Sequence, residues 1–321
     1  MSVLVVLEHD RGEAAQASWE ALTAARTIAA AVGERLEAIV IGADGGSLAE
    51  TAGRYGAEVT HVARHDVLTD YGPAAWGETV AQLAATTAAG AVVAGGTDRG
   101  NEVMAQAAAR MNQAMVANAI VVEPGVTWQI TRLRWGGSLH ERAEVTSAVK
   151  VITFAPHSIE ATEAPVDSAV HDFEPTLDDA DAVSIVVDRE IVSEGVTLAT
   201  APVVVGGGRG VGSQDGFEPL EELAALLGGV VGCSRVVTNN GWRPHTDQVG
   251  QTGTRIAPKL YVACGISGAI QHWVGAAGSK KILAINTDPE ANMVAKADYA
   301  VIADLHEVVP AISAEIRRRR A

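Results

Sequence analysis

The chain has 321 residues, of which 48% are hydrophobic and 20% are charged, a composition typical of a globular protein long enough for two domains. Its formal net charge of −15 and its 4% aromatic content argue against a nucleic-acid partner. Binding the phosphate backbone of a nucleic acid needs an excess of Lys and Arg, and stacking of unpaired bases needs aromatic side chains. No apolar stretch reaches the roughly 18 residues of a membrane span, so we expect no direct membrane insertion.

The first segment, MSVLVVLEHD, has no basic region before its apolar run, unlike a signal or transit peptide. The two cysteines, Cys233 and Cys264, lack metal-like spacing and lie in apolar, strand-like stretches. That placement favours buried thiols in a reducing compartment. We therefore expect a cytoplasmic protein without a metal site.

The first half of the chain alternates strand-like and helix-like segments. The strand-like segments are residues 2–9, 35–43, 61–64 and 91–96, and the helix-like segments are residues 12–32, about 73–89 and from about 101. Such a βαβ alternation predicts a mostly parallel sheet that is covered on both faces.

From about residue 115 the pattern changes to alternation by twos. Residues 115–123, 128–135 and 141–155 leave little room for helices between them, which predicts an addition of antiparallel strands. Residues 156–182 are acidic and loop-like, residues 182–188 (AVSIVVD) resemble a strand, and residues 189–202 form a connector.

A second alternating unit follows from about residue 200. Its strand-like segments are PVVVGG, GVVGCSR, LYVACG, ILAIN and YAVIAD, and its helix-like segments are PLEELAALLG, SGAIQHWVGA, PEANMVAKA and LHEVVPAISAEIRRR. The sequence thus predicts an α/β protein with two Rossmann-like domains, residues 1–197 and 198–321, with mostly parallel sheets. The second is expected to be a doubly wound domain, in which ligands bind beyond the carboxyl ends of the strands.

The ends of the five strands in that second unit all carry groups that can bind a ligand. These groups are Gly206-Gly207-Gly208-Arg209, Ser234-Arg235, Gly265-Ile266-Ser267, Asn286 and Asp304. Five such ends in one sheet favour one elongated ligand. Ser267 is expected to cap a helix, so that the amides of Gly268, Ala269 and Ile270 bind a pyrophosphate.

Two common phosphate-binding motifs are absent from this unit. The glycine run at 206–212 places Val211 where the nicotinamide fingerprint needs glycine, and GAAGSKK places Lys280 where the Walker motif needs one. The loop DQVGQTGTRIAP, residues 247–258, offers instead two glycines, an amide and a hydroxyl. These groups suit a flat, hydrogen-bonding ring such as a flavin.

In this order and spacing, the motifs VVVGGGRG, GCSR, QVGQTG, CGISGAIQH, INTDPEA and IADL closely resemble those of electron transfer flavoprotein alpha subunits. The resemblance is nearly continuous over about 199–310 and looser in the first half, at VVLEH, VVAGGTDRGNEV and TRLRWGGS. It implies FAD bound in the C-terminal domain and a nucleotide-binding-like N-terminal domain without a cofactor.

The family resemblance also implies partners and the role of an electron carrier rather than an enzyme. The expected partner is a beta subunit that carries AMP and completes a heterodimer. Flavin dehydrogenases, such as the acyl-CoA dehydrogenases of fatty acid beta-oxidation, would donate electrons, and a quinone oxidoreductase or respiratory acceptor would receive them.

The resemblance assigns roles to individual residues along the cofactor. Arg209 is expected near the phosphate and ribityl part, and Ser234 and Arg235 near the isoalloxazine ring. The full set of expected FAD-binding residues is Arg209, Ser234, Arg235, Gln248, Val249, Gly250, Gln251, Thr252, Gly265, Ser267, Gly268, Ala269, Ile270, Gln271, His272, Asn286, Asp304 and Leu305. Within it, residues 248–252 would edge the ring, His272 would reach its pyrimidine end, and the last three would hold the adenosine.

Three alternatives remain open from the sequence. One is a nicotinamide-dependent oxidoreductase on a similar fold, and another is a binding module that holds an adenine dinucleotide without redox chemistry. The third is a flavin-bifurcating member of the same family, which the cofactor content of the beta subunit would reveal.

Overall fold

The computed structural model describes residues 2–137, 139–186 and 196–320, and the chain divides into two compact units, Met1–Glu190 and Ile191–Ala321. Both are built from α/β elements, as the sequence predicts. The domain boundary expected after residue 197 stays a prediction. None of the helices in the described part of the chain combines the length and the apolar run that crossing a bilayer requires.

The described residues of the first unit form a nine-stranded sheet, a short hairpin and four helices. The strands are β1 (Ser2–Leu7), β2 (His9–Asp10), β3 (Glu13–Ala14), β4 (Arg35–Ile41), β5 (Val59–Ala63), β6 (Ala91–Gly95), β7 (Met115–Glu123), β8 (Trp128–Arg134), β9 (Leu139–Val145), β10 (Lys150–Phe154) and β11 (Ala169–Phe173). The helices are α1 (Gln16–Val32), α2 (Gly46–Arg54), α3 (Pro73–Thr86) and α4 (Asp98–Arg110). The order of strands in the large sheet is β11-β5-β4-β1-β6-β10-β7-β8-β9.

Helices cover both faces of this sheet at its centre. Strand β1 is buried along its whole length, because Val3 and Val5 pack on one face while Leu4 and Val6 pack on the other. A continuous apolar run is the expected sequence of such a doubly covered parallel strand.

The second half of the sheet differs from the prediction in strand direction. Strands β7, β8 and β9 pair antiparallel as expected, but β10 inserts between β6 and β7 and is parallel to both. The loop expected over 156–182 contains β11, which pairs with β5 at the sheet edge. The strand expected over 182–188 is absent from residues 182–186, and its last two residues lie outside the described residues.

The second unit forms a five-stranded parallel sheet, and all five of its strands match the predicted segments. They are β12 (Val203–Gly207), β13 (Val230–Cys233), β14 (Leu260–Cys264), β15 (Ile282–Asn286) and β16 (Tyr299–Ile302). The helices of its described part are α5 (Glu218–Leu227), α6 (Arg235–Asn239), α7 (Ile270–Ala276), α8 (Asn292–Lys296) and α9 (Leu305–Arg320).

The strand order in this sheet is β13-β12-β14-β15-β16. Apolar residues of α5 and α9 pack on one face, and apolar residues of α7 and α8 pack on the other. Numbered within the unit, the order is 2-1-3-4-5, a doubly wound arrangement whose direction of winding reverses between β12 and β14. A crevice opens at such a reversal, beyond the carboxyl ends of the strands.

Candidate cofactor site

A cavity of about 720 Å³ lies at the carboxyl ends of the five strands in the second unit. It brings together most of the residues that the sequence predicts to bind a cofactor. Those that line it are Arg209, Ser234, Arg235, Gly265, Ser267, Gly268, Ala269, Gln271, His272, Asn286, Asp304 and Leu305. Cofactor sites usually measure about 300–1,000 Å³, so this cavity is large enough for an extended ligand.

The strand order arranges the charges of the cavity along one edge. Arg235 follows the edge strand β13, Arg209 follows β12, and Asp304 follows β16 at the opposite edge. With neighbouring strands about 4.8 Å apart, these ends span roughly 19 Å. A ligand lying along the edge therefore meets cations at one end and carboxylates at the other.

Both arginines are exposed and make no ion pair with a carboxylate in the described part of the chain. Other arginines of this unit do pair, as Arg243 does with Glu221 and Asp247. Arg209 and Arg235 are therefore the cationic groups that this cavity offers to an anionic ligand.

Between the arginines and the carboxylates, the cavity is lined by backbone between β14 and α7. The sequence predicts that Ser267 caps the helix, and this prediction is wrong. Helix α7 begins at Ile270, and the Ala269 carbonyl accepts hydrogen bonds from the amides of His272 and Trp273. Ser267 instead accepts a hydrogen bond at its carbonyl from the Met293 amide.

The delayed helix start follows from two glycines with positive φ. Gly265 has φ +62° and Gly268 has φ +77°, conformations that interrupt a right-handed helix. As a result, residues 265–269 run as an irregular segment along the cavity. Within the described chain, the amides of residues 267–271 donate to no acceptor, so they remain available to a ligand.

His272 lies at the start of α7 and is 7% exposed. Its Nε2 lies 2.8 Å from the hydroxyl of Tyr261, a fully buried residue of β14. Burial lowers the pKa of His272 to about 4, and the nearby Val249 backbone opposes this shift only partly. Its Nδ1 makes no hydrogen bond of normal geometry with the described residues. The imidazole is therefore neutral at pH 7, held between the Tyr261 hydroxyl and the Val249 backbone.

The predicted residues of the loop at 248–252, together with Ile270, do not line the cavity. Gln248 is buried, donates from Nε2 to the Thr252 hydroxyl at 2.9 Å, and accepts at Oε1 from the Thr238 hydroxyl at 2.9 Å. Val249 and Gly250 are buried, whereas Gln251, Thr252 and Ile270 are exposed. The Gln251 amide donates to the Gln271 carbonyl at 2.7 Å, which attaches this loop to α7 beside the cavity.

At the opposite edge, the predicted polar side chains are partly used within the protein. Asn286 donates from Nδ2 to the Ile266 carbonyl at 3.1 Å and accepts at Oδ1 from the Asp288 amide. Asp304 accepts at Oδ1 from the His306 amide at 2.9 Å, at the start of α9. Asn286 therefore fixes the segment after β14, and Asp304 caps α9 while lining the cavity.

The cavity also contains residues that the sequence analysis did not assign. They are Gly210, Val236, Asn239, Ile266, Thr287, Asp288, Ala291, Ala303 and His306. Most lie next to an assigned residue, so extending each strand end by one or two positions would have found them. Asn239 and Ala291 are exceptions, because Asn239 lies at the last position of α6 and Ala291 lies just before α8.

The two cysteines flank β12, at the ends of β13 and β14, and both are buried and free. Burial raises the pKa of each thiol to about 12, so neither provides a thiolate at neutral pH. Among the described residues, no group of His, Cys, Asp and Glu has the arrangement of a metal site.

Comparisons with known proteins identify the family of this chain. The family model described as "Electron transfer flavoprotein domain" matches residues 3–176, and the one described as "Electron transfer flavoprotein FAD-binding domain" matches residues 197–277. The chain is 35% identical to electron transfer flavoprotein subunit alpha of Bacillus subtilis, over 98% of this chain and 97% of the relative.

Two further relatives match over nearly the whole chain. The subunit alpha of Mycobacterium leprae is 35% identical over 99% of this chain and 98% of its own length. Protein FixB of Bradyrhizobium diazoefficiens is 33% identical over 99% of this chain and 89% of its own length. The chain therefore belongs to the electron transfer flavoprotein alpha-subunit family, whose members carry electrons rather than act as enzymes, and it contains that family's FAD-binding domain.

Proposed function

We propose that this chain binds FAD in the cavity at the carboxyl ends of β12 to β16 and carries electrons as the alpha subunit of a heterodimer. One observation carries the proposal. Two arginines that pair with no carboxylate of the described residues line the same 720 Å³ cavity as Ser267, Gly268, Ala269 and Gln271, whose backbone amides donate to no acceptor among those residues. Amides at a chain turn and arginine side chains are the groups that bind phosphates.

The residues of the cavity would divide the cofactor between them. Arg209 and the amides of residues 267–271 would hold the pyrophosphate and ribityl part. Arg235 would lie against the isoalloxazine, and Asp304 would accept hydrogen bonds from the adenosine ribose.

The loop at 248–252 would edge the flavin ring when the cofactor is bound. Gln248 donates to the oxygen of the Thr252 hydroxyl, so the proton of that hydroxyl remains free to be donated. Gln248 and Val249 are buried and would support the loop from inside the protein. Gln251 and Thr252 are exposed and would reach the ring.

Bound FAD would supply the electron chemistry, since flavins accept and release electrons. The chain's part is to set how readily the flavin is reduced. Added negative charge on the flavin is stabilised by a nearby cation, and Arg235 is charged at every physiological pH. With its pKa near 4, His272 would contribute a neutral hydrogen bond instead of a charge.

The partners that we propose complete an electron-transfer chain. A beta subunit carrying AMP would cover the flavin side of the cavity. Flavin dehydrogenases, including acyl-CoA dehydrogenases of fatty acid beta-oxidation, would reduce the flavin, and a quinone oxidoreductase or another respiratory acceptor would reoxidise it. We place this system in the cytoplasm, because both cysteines are free, buried thiols.

The experiment is a visible spectrum of this chain purified together with its beta subunit. We expect oxidised-flavin bands that are bleached by a reduced flavin dehydrogenase and that return when a quinone oxidoreductase and its quinone are added. A folded heterodimer that stays colourless in excess FAD would overturn the proposal. Bleaching by a reduced nicotinamide alone, with FAD also in the beta subunit, would indicate the bifurcating alternative.

A further inference from the structure

We propose that Tyr261 is a positioning residue: its hydroxyl donates to Nε2 of His272 and holds the imidazole in the tautomer that carries its proton on Nδ1. The inference deepens the proposed function, on which its statement about FAD rests. It assigns a role to a side chain that does not line the cavity and that the sequence motifs left unexplained.

The direction of this hydrogen bond follows from the burial of both groups. The Tyr261 hydroxyl and Nε2 of His272 are 2.8 Å apart, and the two rings are stacked with centroids 6.1 Å apart. No other acceptor for the hydroxyl is found in the described part of the chain. If Nε2–H donated to the tyrosine oxygen, the phenol proton would be buried without a partner, which is costly. The hydroxyl therefore donates.

Two further properties keep the pair in this state. Burial raises the pKa of Tyr261 well above its usual value, so the phenol retains its proton. Gly206 of β12 lies against the hydroxyl, because a Cβ at that position would overlap the Tyr261 oxygen. The first glycine of the run at 206–208 is thus needed to make room for this hydroxyl.

The consequence for a ligand concerns the other nitrogen of His272. With Nε2 used as an acceptor, a neutral imidazole carries its proton on Nδ1. That Nδ1 is buried, and His272, which lines the cavity, lies beside the Val249 backbone. A backbone hydrogen bond with Val249 opposes the effect of burial on the pKa of His272, so an Nδ1–H held towards Val249 would join the histidine to the loop at 248–252, which the proposed function places against the flavin.

The first test measures the tautomer directly. The heterodimer is prepared with ¹⁵N-labelled histidine in this chain, and the ring nitrogens of His272 are assigned by comparison with His272→Gln. We expect a protonated Nδ1 and an unprotonated Nε2 at pH 7. A protonated Nε2 in the natural protein would overturn the inference, and this result needs no variant of Tyr261.

The second test removes the hydroxyl. Tyr261→Phe is compared with Tyr299→Phe, an exposed tyrosine of β16 outside the cavity. We expect Tyr261→Phe to bind FAD about threefold to tenfold more weakly and to lose the fixed tautomer, which is the effect of one hydrogen bond. Tyr299→Phe should change neither. In a His272→Gln background, Tyr261→Phe should cause no further loss of FAD affinity.

The results separate the two proposals. A natural heterodimer that binds no FAD overturns the proposed function, whatever its histidine tautomer. A heterodimer that binds FAD, but in which Tyr261→Phe leaves both the tautomer and the FAD affinity unchanged, overturns only the role of Tyr261. An equal loss of FAD affinity for Tyr261→Phe with and without His272 would likewise overturn it, because the tyrosine would then act independently of the histidine.

Discussion

In the proposed FAD complex, Arg235 is the residue through which this chain can most directly affect the flavin. At 4 Å and an effective dielectric constant of 20, two unit charges interact by about 4 kcal/mol, which limits the effect on a one-electron potential to roughly 170 mV. Because Arg235 is exposed in the chain by itself, the real effect should be smaller. We predict that Arg235→Ala lowers the midpoint potential of bound FAD by tens of millivolts, or weakens FAD retention.

The matched control for this prediction is Arg255→Ala. Arg255 is also exposed, makes no ion pair in the described part of the chain, and does not line the cavity. A spectroelectrochemical titration of both variants checks the expectation. If Arg235→Ala and Arg255→Ala show the same potential and the same FAD content, Arg235 has no such role.

His272 predicts how stability depends on pH. Its pKa is about 4 in the folded chain and 6.5 when unperturbed, so the unfolded chain binds the extra proton at the higher pH. The contribution of His272 to stability is therefore complete above pH 6.5 and is lost as the pH drops from 6.5 towards 4, by about 3 kcal/mol. His272→Gln should reduce this loss. Urea unfolding from pH 4.5 to 7.5, at one protein concentration, measures the difference between the two proteins. Equal pH dependence would contradict the assignment.

At the scale of elements, the segment between β14 and α7 depends on Gly268. An alanine there meets two penalties, because φ is +77° and its Cβ would overlap the Met293 backbone nitrogen. Gly228, at the end of α5, has φ +65° but open space around its Cβ position. We predict that Gly228→Ala costs about 1 kcal/mol from backbone strain alone.

Gly268→Ala should cost clearly more than Gly228→Ala in thermal or urea unfolding, and it should also weaken FAD binding, because the segment lines the cavity. Gly228→Ala should leave FAD affinity unchanged. Equal effects of the two substitutions on both measurements would show that the contact with Met293 does not shape the site.

Asp304, the residue before α9, combines a structural role with a proposed binding role. Asp304 accepts from the His306 amide and also lines the cavity. Asp304→Ala should destabilise the protein by about 1 kcal/mol through loss of the cap, whereas Asp304→Asn keeps an acceptor and should cost less. Both should weaken FAD binding if the carboxylate meets the adenosine ribose. Unfolding curves and FAD titrations distinguish the roles, and unchanged FAD affinity in both variants would contradict the second.

Strand segments were predictable wherever apolar residues run continuously, as in all five strands of the second sheet. Which strands pair, and whether they run parallel or antiparallel, was less predictable. The apolar run of Lys150–Phe154 indicates a buried strand but not that it inserts parallel between β6 and β7. Strand β11, AVHDF, is mostly exposed, and its side chains do not alternate between buried and exposed. It is a strand because its backbone pairs with β5, which the sequence alone does not indicate. Residues 182–186 show that an apolar, β-branched stretch can remain irregular.

For the site, the strand ends gave the chemistry but not its spatial order. Strand β13 is second in the unit's sequence yet lies at the edge of its sheet, which moves Arg235 to the end of the cavity farthest from Asp304. Ser267 has the side chain of a helix cap, but the positive φ of Gly268 delays the helix to Ile270. Local preference failed here because glycine allows backbone conformations that other residues disfavour.

At the scale of the whole molecule, the chain consists of two compact units, each with its own sheet and buried core. All described residues that line the 720 Å³ cavity belong to the second unit. A ligand that binds only the folded protein at a hundred times its Kd stabilises it by about 2.7 kcal/mol. The stabilisation by bound FAD should therefore be larger for the second unit than for the first.

We predict that FAD slows amide hydrogen exchange in the heterodimer most strongly in peptides covering residues 260–276 and 282–306 of this chain. Peptides from β1 and β4 should exchange at the same rate with and without FAD, because their hydrogen bonds lie in a separate core. Exchange measured by mass spectrometry with FAD-loaded and FAD-stripped heterodimer tests this. Uniform slowing across both units would mean that they open together, and it would contradict this prediction.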